Sequence, residues 1–123
     1  MTPSDPALLE DWRTRRDAEA FNEIVSRHAD MVFATCKRIL GNEADAEDVA
    51  QECFLQLARG AGEVRTSLAG WLHCLARHRS LDWKKRELRR RRREELHARL
   101  AAGPRGSGWE AVRPWVDEAI DAL

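Results

Sequence analysis

Along residues 17–40 the apolar side chains Phe21, Ile24, Val25, Val32, Cys36, Ile39 and Leu40 recur three or four positions apart, as one face of a helix requires. Asp17 can cap the start, and Gly41-Asn42 can end the run in the left-handed geometry that glycine tolerates. The polar stretch Arg27-His28-Ala29-Asp30 is placed to break the run into two helices, with His28 at the surface or a boundary. The same periodicity predicts a helix from Asp45 to Ala58, with Val49, Cys53, Phe54 and Leu57 as its buried stripe. Asp45 is the expected cap of that helix. Glu47 and Asp48 fall in its first turn, where the helix dipole favours negative charge, with Asp48 in the capping-box position.

Gly60-Ala61-Gly62 stops this helix, and a short loop through Arg65 and Thr66 leads to Ser67, a good cap for a final long helix from Leu68 to about Leu100. Leu68, Trp71, Leu72, Leu75 and Ala76 give that helix an apolar face in its first half only. Lys84-Lys85-Arg86 and Arg89 to Arg93 dominate the second half, which should protrude or fray for want of packing. The expected organisation is an N-terminal extension that can be helical (1–16), a helical domain (17–100), a glycine- and proline-containing linker (101–108) and a short amphipathic piece (109–123). The fold class expected is all-α, a bundle of three or four helices with a long basic C-terminal helix.

At 123 residues the chain suits one domain and a tail. No apolar run approaches the roughly 20 residues that span a bilayer, and Met1 to Asp11 is acidic where a signal peptide would be basic. A cytoplasmic protein without a membrane partner is expected. Cys36, Cys53 and Cys74 are far apart and odd in number, so they read as small buried apolar residues rather than a disulfide framework. His73-Cys74 lacks the spaced ligand pairs of a zinc site, and neither metal nor cofactor is expected. The zero net charge hides an asymmetry: residues 1–64 hold 7 basic and 13 acidic side chains, residues 65–100 hold 12 and 4. Such a division suggests two partners, a polyanion for the basic segment and a basic protein surface for the acidic one. The histidines and carboxylates form no acid–base or nucleophile constellation, so no catalytic residue is proposed and an enzyme is not expected.

Two segments carry the functional signal: DAEDVAQECFLQLAR (Asp45 to Arg59) and SLAGWLHCLARHRSLDWKKRELRRRRR (Ser67 to Arg93). In this order, after Asp17-Ala18-Glu19-Ala20-Phe21, they resemble region two of the bacterial RNA polymerase sigma factors, specifically the small extracytoplasmic-function type. The resemblance covers about Asp17 to Arg93. It implies that the first segment docks on the clamp helices of the largest subunit of core RNA polymerase, with Asp48, Gln51 and Glu52 matching the family's polar docking residues. Spacing by itself puts these three on one helical face, largely opposite Val49, Cys53 and Leu57. A solvated acidic face is the plain alternative.

For the second segment the resemblance implies recognition and melting of the promoter minus-ten element, on its non-template single strand. The loop Arg59 to Thr66 is the expected base pocket, with Arg65 in it as a phosphate contact and Ser67 following it, and Arg77, His78, Lys84, Lys85 and Arg86 match the family's DNA-contacting face. His78 departs from the pattern, since relatives commonly carry asparagine there, and the loop is a few residues shorter than in many relatives. Trp71 reads as core rather than as a stacking platform, Trp83 as packing or lying near DNA. The arginine run reads as a backbone-tracking patch or a basic tail. The resemblance also implies a second, minus-thirty-five-binding domain after Leu123, and an anti-sigma protein as a common kind of partner. Rival readings are an arginine-rich RNA-binding protein and a helical interaction module.

Overall fold

A computed structural model describes residues 2–102, all helix and connecting turns with no strand among them. The helices are α1 (Asp5–Arg15), α2 (Ala18–Leu40), α3 (Glu43–Arg59) and α4 (Leu68–Ala102), with a 3-10 turn, Ala61–Glu63, between α3 and α4. The all-α class is as expected. The chain divides into two units, Met1–Leu81 and Asp82–Leu123. Residues 103–108 of the expected linker and the piece 109–123 lie outside the described residues; Ala101 and Ala102 belong to α4.

In the first unit, α1 starts at Ser4, whose hydroxyl accepts from the Ala7 amide at 3.3 Å, and ends at Arg16 in the left-handed region with φ 53°. Asp17 caps α2 through Oδ1, which accepts from the Glu19 and Ala20 amides. Contrary to expectation, α2 is one unbroken helix, because Arg27 and His28 are not solvent-seeking. The His28 ring is buried, its Nε2 2.9 Å from Asp5 Oδ2, and Arg27 donates to Asp5 Oδ1 at 3.1 Å and to Glu23 at 3.1 Å. Arg27 and His28 therefore form one of the contacts by which α2 holds α1. The helix ends at Gly41, φ 83°.

The cap of α3 lies three residues earlier than the sequence pattern suggests. Asn42 Oδ1 accepts from the Asp45 amide at 2.9 Å, and Asn42 Nδ2 donates to Asp45 Oδ2 at 2.6 Å. Asp45 is thus the residue whose amide is capped and whose carboxylate accepts from the Asn42 side chain, not the cap itself.

The core lies between α2, α3 and the first half of α4, where Ile24, Val32, Cys36, Cys53, Leu57 and Leu72 are fully buried. Burying a side chain of Leu or Ile size contributes about 1.5–3 kcal/mol, so these few positions supply much of the driving force. Phe54, expected in the stripe, is only half-buried, while Ala46 and Ala50 complete it. Trp71 is half-buried. Cys36 and Cys53 bear out the reading of buried thiols; Cys74 does not, and is exposed.

Candidate functional site

The packing of α3 fixes which of its residues face outward. With Ala46, Val49, Ala50, Cys53 and Leu57 turned to the core, Asp48, Gln51 and Glu52 are all exposed. Leu55, seven residues after Asp48 and so on the same face, is 46% exposed. An acidic and amide ridge around one uncovered leucine is a surface suited to a partner with a basic rim and an apolar pocket. Glu52 is not independent of the fold, since its carboxylate lies 3.9 Å from Arg79 of α4. Arg79 also donates from Nε to Gln56 Oε1 at 2.8 Å, which ties the back of this face to α4.

The loop expected to form a pocket is partly ordered by the 3-10 turn, with Ala61 buried. A shallow groove of about 210 Å³ runs between α1 and this turn, lined by Leu9, Glu10 and Arg13 on one side and Ala61, Gly62 and Val64 on the other. Arg65 and Ser67 are exposed at the end of the loop. The Ser67 hydroxyl accepts from the Gly70 amide at 3.0 Å, so Ser67 is the α4 cap; its own hydroxyl proton stays available to a phosphate or base. Beyond the buried Leu72 and Ala76, Arg77 and His78 are exposed on the outer surface of α4. Within the first unit the loop residues and Arg77 and His78 thus offer cationic and hydrogen-bonding groups to solvent.

The second unit begins with Asp82, and in it Trp83 is half-buried while Lys84, Lys85 and Arg86 are exposed. The helix continues to Ala102, and ion pairs three and four residues apart along its surface support it. Arg90 pairs with Glu87 and Glu94, and Arg91 Nε lies 3.7 Å from Glu87. The guanidinium of Arg90 holds the Glu87 carboxyl below its ordinary range. Lys85, Leu88, Arg89 and Arg92 line a depression of about 180 Å³. Part of the arginine run is therefore neutralised by its own helix, while Lys85, Arg86 and Arg93 are exposed.

Four residues around the candidate site are not among those the sequence pattern singles out. Leu55 was readable from its seven-residue spacing to Asp48. Arg79, Trp12 and Arg16 were not, since their partners lie on other helices: Trp12 Nε1 and Arg16 Nη1 donate to the Ala58 carbonyl at 3.0 and 3.1 Å. Among the described residues no three metal-ligating side chains converge, and no helix is long and apolar enough to cross a membrane.

Relatives of the chain include the ECF RNA polymerase sigma factor SigE of Mycolicibacterium smegmatis, 31% identical over 97 residues, covering 78% of this chain and 36% of that protein. ECF RNA polymerase sigma factor SigW of Bacillus subtilis is 32% identical over 68 residues, 54% of this chain and 36% of that protein. ECF RNA polymerase sigma factor SigK of Mycobacterium sp. (strain KMS) is 28% identical over 111 residues, 88% of this chain and 52% of that protein. The chain thus spans between about a third and a half of the length of these relatives. No solved structure matches significantly. The model of the Sigma-70 region 2 family matches residues 24–94, more than half the sequence and inclusive of both the α3 ridge and the basic part of α4, so the chain belongs to the Sigma-70 region 2 family.

Proposed function

We propose that this chain is the part of a transcription initiation factor that binds core RNA polymerase and recognises and melts the promoter minus-ten element in the cytoplasm. The observation that carries the reading is the uncovered ridge of Asp48, Gln51, Glu52 and Leu55 inside the region matched to the family. The ridge takes the clamp helices of the polymerase largest subunit: carboxylates and amide meet basic side chains, and Leu55 is the apolar anchor that such contacts need at their centre. The loop Arg59 to Thr66 takes an unpaired non-template base, with Arg65, Ser67, Arg77 and His78 on its strand, and Lys84, Lys85 and Arg86 follow the backbone. An anti-sigma protein would silence the factor by covering the same two surfaces.

Asp48→Lys and Leu55→Asp, separately and together, test the docking face by fluorescence anisotropy against core polymerase. Neither position is in the core, so helicity by circular dichroism should stay constant while affinity drops at least about tenfold, or about 1.4 kcal/mol. Equal affinity for wild type and the double variant overturns the assignment. Glu52 is the poorer choice for this purpose because of its contact with Arg79.

A further inference from the structure

The last carbonyls of an α-helix lack intrahelical partners, and what satisfies them decides how the chain leaves the helix. At the end of α3, Gly60 N–H closes the last turn on the Gln56 carbonyl at 2.9 Å. The Ala58 carbonyl instead receives two side-chain donors from outside α3, the Trp12 indole N–H at 3.0 Å and the Arg16 guanidinium at 3.1 Å. Ala58 O belongs to the peptide plane that leads into Arg59, the last residue of α3, from which the chain enters the loop. Two donors on this oxygen therefore fix the direction in which the loop departs.

The donors are themselves held. The Arg16 guanidinium sits over the Trp12 ring at 5.0 Å, and that ring packs against Phe21 of α2 with centroids 4.9 Å apart. Arg16 keeps this place although its backbone has φ 53°, a conformation that glycine adopts freely and that an L side chain adopts only with steric strain. At a helix end that glycine would satisfy with less strain, the arginine contributes something glycine lacks: a cation for the Ala58 carbonyl. The rest of α1 also lies along the loop, for a Cβ placed on Gly62 would meet Arg13 Cδ at 3.8 Å.

We infer that Trp12 and Arg16 are positioning residues for promoter recognition: by clamping the Ala58 carbonyl they set the base-reading loop, which makes α1 a determinant of base preference without touching DNA. The inference rests on the proposed function, in which the loop recognises a promoter base. It adds that the loop is shaped from outside, by a helix preceding the residues matched to the family.

The test uses Trp12→Phe combined with Arg16→Gly in the full chain. Phenylalanine keeps the ring against Phe21 and loses the donor; glycine loses the guanidinium and relieves the left-handed backbone. The fold should survive, with unchanged helicity by circular dichroism and unchanged affinity for core polymerase. Binding to single-stranded minus-ten oligonucleotides randomised at one base is then compared for wild type, the double variant and each single variant. Expected is a loss of roughly tenfold discrimination between bases in the double variant, the scale of one good base contact, with partial loss in each single variant. Amide hydrogen exchange across residues 60–66 should accelerate in the same order. Base preferences identical to wild type in the double variant overturn the inference while leaving the loop as reader. A wild-type chain blind to base identity overturns the proposed function of the loop, and the inference with it.

Discussion

Arg79 Nε donates to Gln56 Oε1 at 2.8 Å, and through this bond α4 holds the helix that presents the exposed ridge of Asp48, Gln51 and Glu52. The neighbouring Glu52 carboxylate, at 3.9 Å and half-exposed, adds little, since exposed pairs are worth about 0–1 kcal/mol. Arg79→Ala should therefore lower stability by about 1–2 kcal/mol, mostly through the charge-assisted bond to Gln56, and Glu52→Gln by much less. Chemical denaturation of the two variants checks the ranking. A larger loss for Glu52→Gln would show that the ion pair, not the amide, joins the helices.

Asp5 accepts from Arg27 and lies within hydrogen-bond distance of His28, so one carboxylate, about a quarter exposed, joins α1 to α2 at two points. Asp5→Ala removes both bonds at once and leaves a buried imidazole without its partner, at a cost of about 1–3 kcal/mol. For a domain of this size that is a fall of roughly 4–8 °C in unfolding midpoint per kcal/mol. Differential scanning calorimetry on wild type and variant measures it. An unchanged midpoint would mean that α1 is held by Leu8 and the Trp12 contacts alone.

The Cys53 thiol is held well above its ordinary value of 9.0, first by its contact with Cys36 and then by burial. The folded protein thus keeps this thiol neutral where the unfolded chain would ionise it. Its contribution to stability is complete below about pH 9 and declines as pH rises beyond it, by up to ~1.4 kcal/mol per pH unit for one proton. The partner Cys36, lowered to about 7 by its bond with Cys53, adds stability between about pH 7 and 9, so unfolding midpoints should fall between about pH 9 and pH 11, more steeply for wild type than for Cys53→Ala. Parallel slopes would show that other groups control alkaline stability. The Ser80 hydroxyl, buried beside the Cys36 sulfur without a well-formed hydrogen bond, is the remaining polar group of that cluster.

The helices and their outward faces are legible in the sequence because they are written in local periodicity: Val49, Cys53 and Leu57 define the buried side of α3, and that alone turns Asp48, Gln51 and Glu52 outward. Caps are also local, yet the pattern points to Asp45 where Asn42 does the capping, because both side chains can cap and only the backbone decides between them. The Arg27 to Asp30 stretch misleads for a different reason. Its polarity is matched by Asp5, more than 20 residues away, and no spacing rule reports a partner on another helix. The same holds for Trp12 and Arg16, whose acceptor is a backbone carbonyl and so leaves no trace in side-chain chemistry. The ridge of the candidate site is therefore readable and the clamp behind its loop is not.

In the proposed function phosphate and base recognition are separable, because the loop and the outer residues of α4 are different kinds of group. Lys85, Arg86 and Arg93 are exposed, and replacing them with glutamine keeps good helix formers while removing three charges. Each cation taken off a single-strand phosphate flattens the slope of log affinity against log salt by about 0.7, so removing three flattens it by about 2 and weakens every sequence alike. Replacing the loop Arg59 to Thr66 with one of different sequence should do the reverse, changing the preferred base with little effect on slope. Titrations of labelled single strands at several salt concentrations, with two sequences differing at one base, read both quantities. Arg90 is the internal control: it is occupied by Glu87 and Glu94, so Arg90→Gln should change the slope least of the substitutions in this helix. If the glutamine variant loses base preference while the loop variant keeps it, specificity resides in α4 and not in the loop.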